Sequence, residues 1–78
     1  MLRPEHVRMA RAGLGWTLGE LADRSGVNLN TISRFEAGRD ILSGKLLRVE
    51  QALRAAGVRF ENDGERSGVA VPATKPSS

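Results

Sequence analysis

The sequence predicts a mainly α protein: four short helices followed by a short C-terminal β-hairpin. Three observations carry this. Apolar residues recur at spacings of three and four up to Gly57, which is the helical period. Helix-starting Thr, Asn and Ser residues and helix-stopping glycines divide that pattern into short pieces. After Gly57 the period changes to two, and the turn signal Asn62-Asp63-Gly64 follows.

The first helix begins near Pro4, whose missing N–H costs nothing in a first turn. Val7, Ala10, Arg11 and Leu14 share one face, and Gly15 is the expected stop. His6 is expected on the helix surface. Thr17 caps the second helix, and Glu20 three residues on completes the reciprocal capping box. Trp16 before the cap can pack on Leu21 as a hydrophobic staple. That helix, with Leu18, Leu21 and Ala22, is cut at Ser25-Gly26-Val27. The same grammar recurs twice. Asn28 caps the third helix, stapled by Val27 and Ile32, and Phe35 completes its apolar set. Ser43 is expected to cap the fourth, stapled by Leu42 and Leu47.

The fourth helix is expected from about Gly44 to Ala56, with Leu46, Val49, Leu53 and Ala56 as its stripe. Gly57 fits a left-handed stop that brings Val58 onto Leu53 in a Schellman arrangement. Val58 and Phe60 then alternate with Arg59 and Glu61, and Val69-Ala70-Val71 returns after a loop near Asn62 to Gly68. The expected organisation is a helical domain over 4–57, a hairpin over 58–71 and a disordered Pro/Ser-rich tail over 72–78.

Composition removes most function classes. Seventy-eight residues make one small domain, with little room to enclose a substrate. Without cysteine there is no disulfide or thiolate metal site, and the single histidine cannot hold zinc alone. Neither a metal nor another cofactor is expected. Nucleophile–base pairs, paired carboxylates at a pocket and a phosphate-binding glycine loop after a strand are all lacking, so an enzyme is not expected. No apolar run approaches a membrane span and no signal peptide opens the chain, which points away from a membrane and to the cytoplasm. The net charge is +3, and residues 1–57 hold nine Lys/Arg against six Asp/Glu, while the remainder holds three of each. All the excess positive charge therefore lies in the helical part, which suits a polyanion. Eight of those nine are arginine, the residue that forks onto phosphates and base edges.

Two short helices joined at a glycine turn form the helix-turn-helix plan. Several spaced positions sharpen this. Ala22 is small where the next helix crosses, Gly26 follows at the turn, and Val27, Ile32 and Phe35 are apolar. The stretch Arg34-Phe35-Glu36-Ala37-Gly38-Arg39 ends the third helix. On these residues, positions 5–57 resemble the Cro/C1-type helix-turn-helix domain, or XRE family, of phage and bacterial repressors. The resemblance implies a pair between Arg11 of the first helix and Glu36 ending the third. The alternative is that Glu36 is a solvated charge. One departure stands out. Many family members have a backbone-gripping glutamine at the start of the second helix, where this chain has Leu18 followed by Gly19.

In a helix-turn-helix the N-terminal part of the second helix of the motif meets base edges. By position this nominates Leu29, Asn30, Ser33 and Arg34. Asn30 can pair with adenine, Arg34 can fork onto guanine or else hold phosphate, and Leu29 suits a thymine methyl. Ser33 is an undiscriminating contact, or simply solvated. Phosphate contacts are expected from helix starts and their flanks: Thr17, Asn28, Thr31, Arg39, Ser43 and Lys45. Trp16 and Phe35 could stack on single-stranded bases, but their positions favour core packing.

A small domain reads a short half-site, and pairing two domains adds a second. Val58, Phe60, Val69 and Val71 of the hairpin are the expected homodimer interface, unless the hairpin only covers the fourth helix. The leading expectation is a sequence-specific regulator of double-stranded DNA, a repressor or autoregulator on a palindromic operator. The competing class is a protein-interaction module, such as an antitoxin or anti-activator with a protein partner.

Overall fold

The computed structural model describes residues 2–63 and 66–70, with side chains through residue 60. Four helices come first: α1 (Pro4–Leu14), α2 (Leu18–Ser25), α3 (Leu29–Glu36) and α4 (Ser43–Ala55). Two strands follow, β1 (Arg59–Asp63) and β2 (Arg66–Ala70). The family-like helical plan with a short hairpin is therefore present.

The starts of α2 and α3 are set by local side-chain hydrogen bonds. The Thr17 hydroxyl accepts from the Glu20 N–H at 3.1 Å, and Glu20 Oε1 accepts from the Thr17 N–H at 3.3 Å, the reciprocal box expected of this pair. Asn28 Oδ1 accepts from the Asn30 N–H at 2.8 Å. The expected Ser43 cap does not form. Leu42 is the last extended residue, its carbonyl accepts from Lys45 and Leu46, and Ser43 already lies in the helix with no side-chain cap. The proposed staple fails with it, since Leu42 and Leu47 are both exposed. The reason is alternation along extended chain: Ile41 packs against the core, so its neighbour Leu42 faces out.

Helix ends are set by left-handed glycines. After α4, the Gly57 N–H donates to Arg54 and the Val58 N–H to Leu53, the two bonds of a Schellman motif, with Gly57 at φ 97°. Val58 and Leu53 are both buried, so the motif's apolar contact is made within the core. At the end of α2, Gly26 has φ 73° and donates to the Ala22 carbonyl. Ser25 Oγ then accepts from the Val27 N–H, which closes the turn into α3.

The core is assembled from one residue set per helix: Val7 and Ala10, Leu21, Ile32 and Phe35, Val49 and Leu53, joined by Leu2, Val27 and Val58. Burying each large aliphatic side chain contributes about 1.5–3 kcal/mol. Leu21 and Leu53, both fully covered, are the positions where truncation to alanine would cost about 2–5 kcal/mol. Trp16 packs on the rim of this core and Phe35 within it, which supports packing rather than base stacking. His6 is not a surface residue: it is only 8% exposed. Both α3 and β2 approach that helix.

The two strands pair antiparallel, Arg59 opposite Ala70 and Asp63 opposite Arg66. Asn62 and Ser67 are thus part of the ladder, which makes the connection shorter than the expected loop near Asn62 to Gly68. The expected disordered tail over 72–78, and Val71 before it, lie outside the described residues.

Candidate nucleic-acid interface

The Arg11–Glu36 pair holds α3 on α1. Arg11 Nε and Nη2 donate to the two Glu36 carboxylate oxygens at 2.9 and 3.0 Å, a forked arrangement. Arg11 Nη1 donates to the Trp16 carbonyl at 3.1 Å. One guanidinium thus ties together the end of α1, the approach to α2 and the end of α3. The Glu36 side chain is 8% exposed and that of Arg11 22%, so the pair is nearly dry. Hydrogen bonding to Glu36 raises the Arg11 pKa above its ordinary value, so the guanidinium stays charged at any relevant pH.

With that face of α3 clamped inward, the opposite face is free. Asn30 and Arg34 are exposed there and Thr31 is half-buried, whereas Leu29, in phase with Ile32 and Glu36, is exposed only because it stands in the first turn, and Ser33 on the flank is half-buried. Asn28 has its side-chain oxygen committed to the cap, which leaves its amide group for an outside acceptor. Beyond α3, Arg39, Ser43 and Lys45 are all exposed along the connection into α4. Among the described residues, no hydrogen-bond or ion-pair partner occupies the charged ends of Arg34, Arg39 or Lys45. The first N–H groups of α2 and α4 have no intrahelical acceptor. At Thr17 the hydroxyl accepts from Glu20 but can still donate its own proton. Of the residues nominated from sequence, Asn30 and Arg34 are exposed on the side of α3 away from Glu36, Leu29 is exposed at its first turn, Thr31 and Ser33 are half-buried, and the others stand at the helix starts and the connection into α4.

A helix-turn-helix family model matches residues 7–55. The chain belongs to the Cro/C1-type helix-turn-helix family. A search of curated proteins finds no match. Membership makes this a DNA-binding regulator of the XRE type, in a family of DNA-binding domains rather than enzymes. In this family member no helix is long and apolar enough to cross a membrane, among the described residues. Nor do the described residues hold a cluster of side chains suited to a metal ion.

Three features of the site escaped sequence reasoning. The Arg24 guanidinium lies 4.5 Å from the centroid of the Trp16 ring. Such a contact contributes about 0.5–1 kcal/mol at an exposed site. Trp16 stands before α2, so helical spacing alone does not pair it with Arg24. The Arg11 bond to the Trp16 carbonyl had no signal, because it depends on where the chain turns after α1. Gly19 lies against Leu29: a Cβ built on Gly19 would be 3.9 Å from Leu29 Cδ1 and 3.7 Å from Thr17 Oγ1.

The hairpin residues divide. Val58 is 2% exposed and belongs to the chain's own core, so it is not a surface a second copy could meet. Burial follows from the Schellman turn, which folds Val58 back onto Leu53. Phe60 is half-buried, with the Arg54 guanidinium 5.5 Å from its ring centroid. The side chain of Val69 and the whole of Val71 lie outside what is described.

Proposed function

We propose that this protein reads a palindromic operator as a homodimer in the cytoplasm and represses transcription from it, its own promoter included. Leu29, Asn30, Ser33 and Arg34 would meet base edges, and Thr17, Asn28, Thr31, Arg39, Ser43 and Lys45 would hold phosphates. The observation that carries this reading is the uncommitted outer face of α3, opposite the face clamped by Arg11 and Glu36. Dimerisation would use Phe60 and the open edges of the hairpin, since a two-stranded sheet leaves two edges unpaired.

Selection of bound duplexes from a random library at near-physiological salt tests this. A two-fold symmetric motif with half-site centres about 34 Å apart is expected. An asymmetric motif would remove the symmetric dimer, as would light scattering of a monomer at high micromolar concentration with operator present. A second reading, docking to a partner protein, is favoured by the exposed Leu42 and Leu47 and by Leu18 in place of glutamine. Salt-sensitive binding without any enriched motif would favour it.

A further inference from the structure

We infer that Leu29 reads the C5-methyl group of a pyrimidine, so that 5-methylcytosine can replace thymine at that position and cytosine methylation controls binding. This rests on the operator-reading role proposed above. Leu29 is the first residue of α3 and is 42% exposed, although it is large and apolar. Its Cδ1 lies at contact distance from the point where a residue-19 Cβ would stand, beside the start of α2. Gly19 carries no side chain to cover it, so an apolar surface remains open between the starts of two helices on the DNA-binding motif.

The first N–H groups of α2 and the side chain of Asn30 are directed to acceptors, not to carbon. Within the major groove the apolar group offered by an unmodified base pair is the thymine C5-methyl. Cytosine has only hydrogen at C5, whereas 5-methylcytosine carries the same methyl at the same ring position. Thymine and cytosine differ also at C4, where one accepts and the other donates a hydrogen bond. Leu29 has no polar atom with which to sense that difference. It therefore discriminates methyl from hydrogen, not thymine from cytosine.

The test uses the whole chain and the duplex it selects. Each thymine is replaced in turn by uracil, which removes only the methyl, and binding is measured for the native protein and for Leu29→Ala. One thymine per half-site should lose about fourfold in affinity in the native protein, the value of one buried methylene-sized group. The same replacement should leave Leu29→Ala unaffected. With a C·G pair at that position, 5-methylation should strengthen native binding by a similar factor and Leu29→Ala binding not at all. Uracil insensitivity at every thymine, or an equal loss in both proteins, overturns methyl reading while leaving operator binding intact. Failure to select any duplex overturns both.

Discussion

Removing the Glu36 carboxylate should cost far more than an ordinary surface charge. In Glu36→Ala, Arg11 loses both forked bonds, formed at 2.9 and 3.0 Å, and keeps only the Trp16 carbonyl at 3.1 Å. Exposed ion pairs contribute about 0.2–1 kcal/mol. Breaking a fully buried one costs about 3–5 kcal/mol, because a charge is left without its partner. With side-chain exposures of 8% and 22%, this pair lies near the buried limit, though water still reaches the Arg11 side. The expected loss is therefore about 2–4 kcal/mol, below the fully buried figure. A domain of this size has a total stability of roughly 4–12 kcal/mol. Urea denaturation followed by Trp16 fluorescence and by far-ultraviolet circular dichroism measures the loss, and the midpoint should fall with the slope unchanged. A double-mutant cycle with Arg11→Ala should give a coupling energy above about 1 kcal/mol. A single-variant loss below about 1 kcal/mol, or no coupling, would refute the clamp and return Glu36 to a solvated charge.

Other expectations separate the roles of neighbouring residues. Arg34→Ala should cost about 1–3 kcal/mol of specific binding and relax preference at one base pair, whereas Arg39→Ala should weaken binding to all sequences and reduce the salt slope by about one. A change in base preference for Arg39→Ala, read by repeated duplex selection, would reverse these assignments. Two glycines should respond in opposite directions. A Cβ on either Gly26 or Gly44 meets nothing within 4 Å, but Gly26 has φ +73° and Gly44 lies in the first turn of α4. Gly26→Ala should lose about 1–2 kcal/mol from backbone strain alone, and Gly44→Ala should gain about 0.5–1 kcal/mol from reduced chain entropy, both by denaturation. Thr17→Ala should lose about 1 kcal/mol with the capping box, and Thr17→Asp should restore most of it.

The helical architecture and most of the candidate interface were legible because their causes are local. A capping box is closed by residues three apart, and the Thr17–Glu20 pair formed as the sequence required. A Schellman end needs only a glycine after an apolar periodic run, as at Gly57. Asn28 and the exposure of Asn30 and Arg34 follow from helical spacing once the cap is placed, whereas Leu29, in phase with Ile32 and Glu36, is exposed by its place in the first turn. Arg11 and Glu36, twenty-five residues apart, were paired by family resemblance. Tertiary packing decided the rest. His6 is covered although nothing in its own helix requires it, on a helix that both α3 and β2 approach. Val58 entered the core rather than an interface, because the turn after α4 directs it inward. Ser43 lost its capping role because Ile41 takes the inward position and Leu42 ends the extended chain. Leu29 and Gly19 meet only because α2 and α3 cross at the angle that the turn at Gly26 allows. The sequence by itself determined the starts of α2 and α3, the glycine stops and the apolar stripes of the helices, since hydrogen bonds and side-chain periodicity act over three or four residues. The tertiary structure alone decided which exposed-seeming residues are covered and which side chains from different helices meet, since those depend on how separate elements pack.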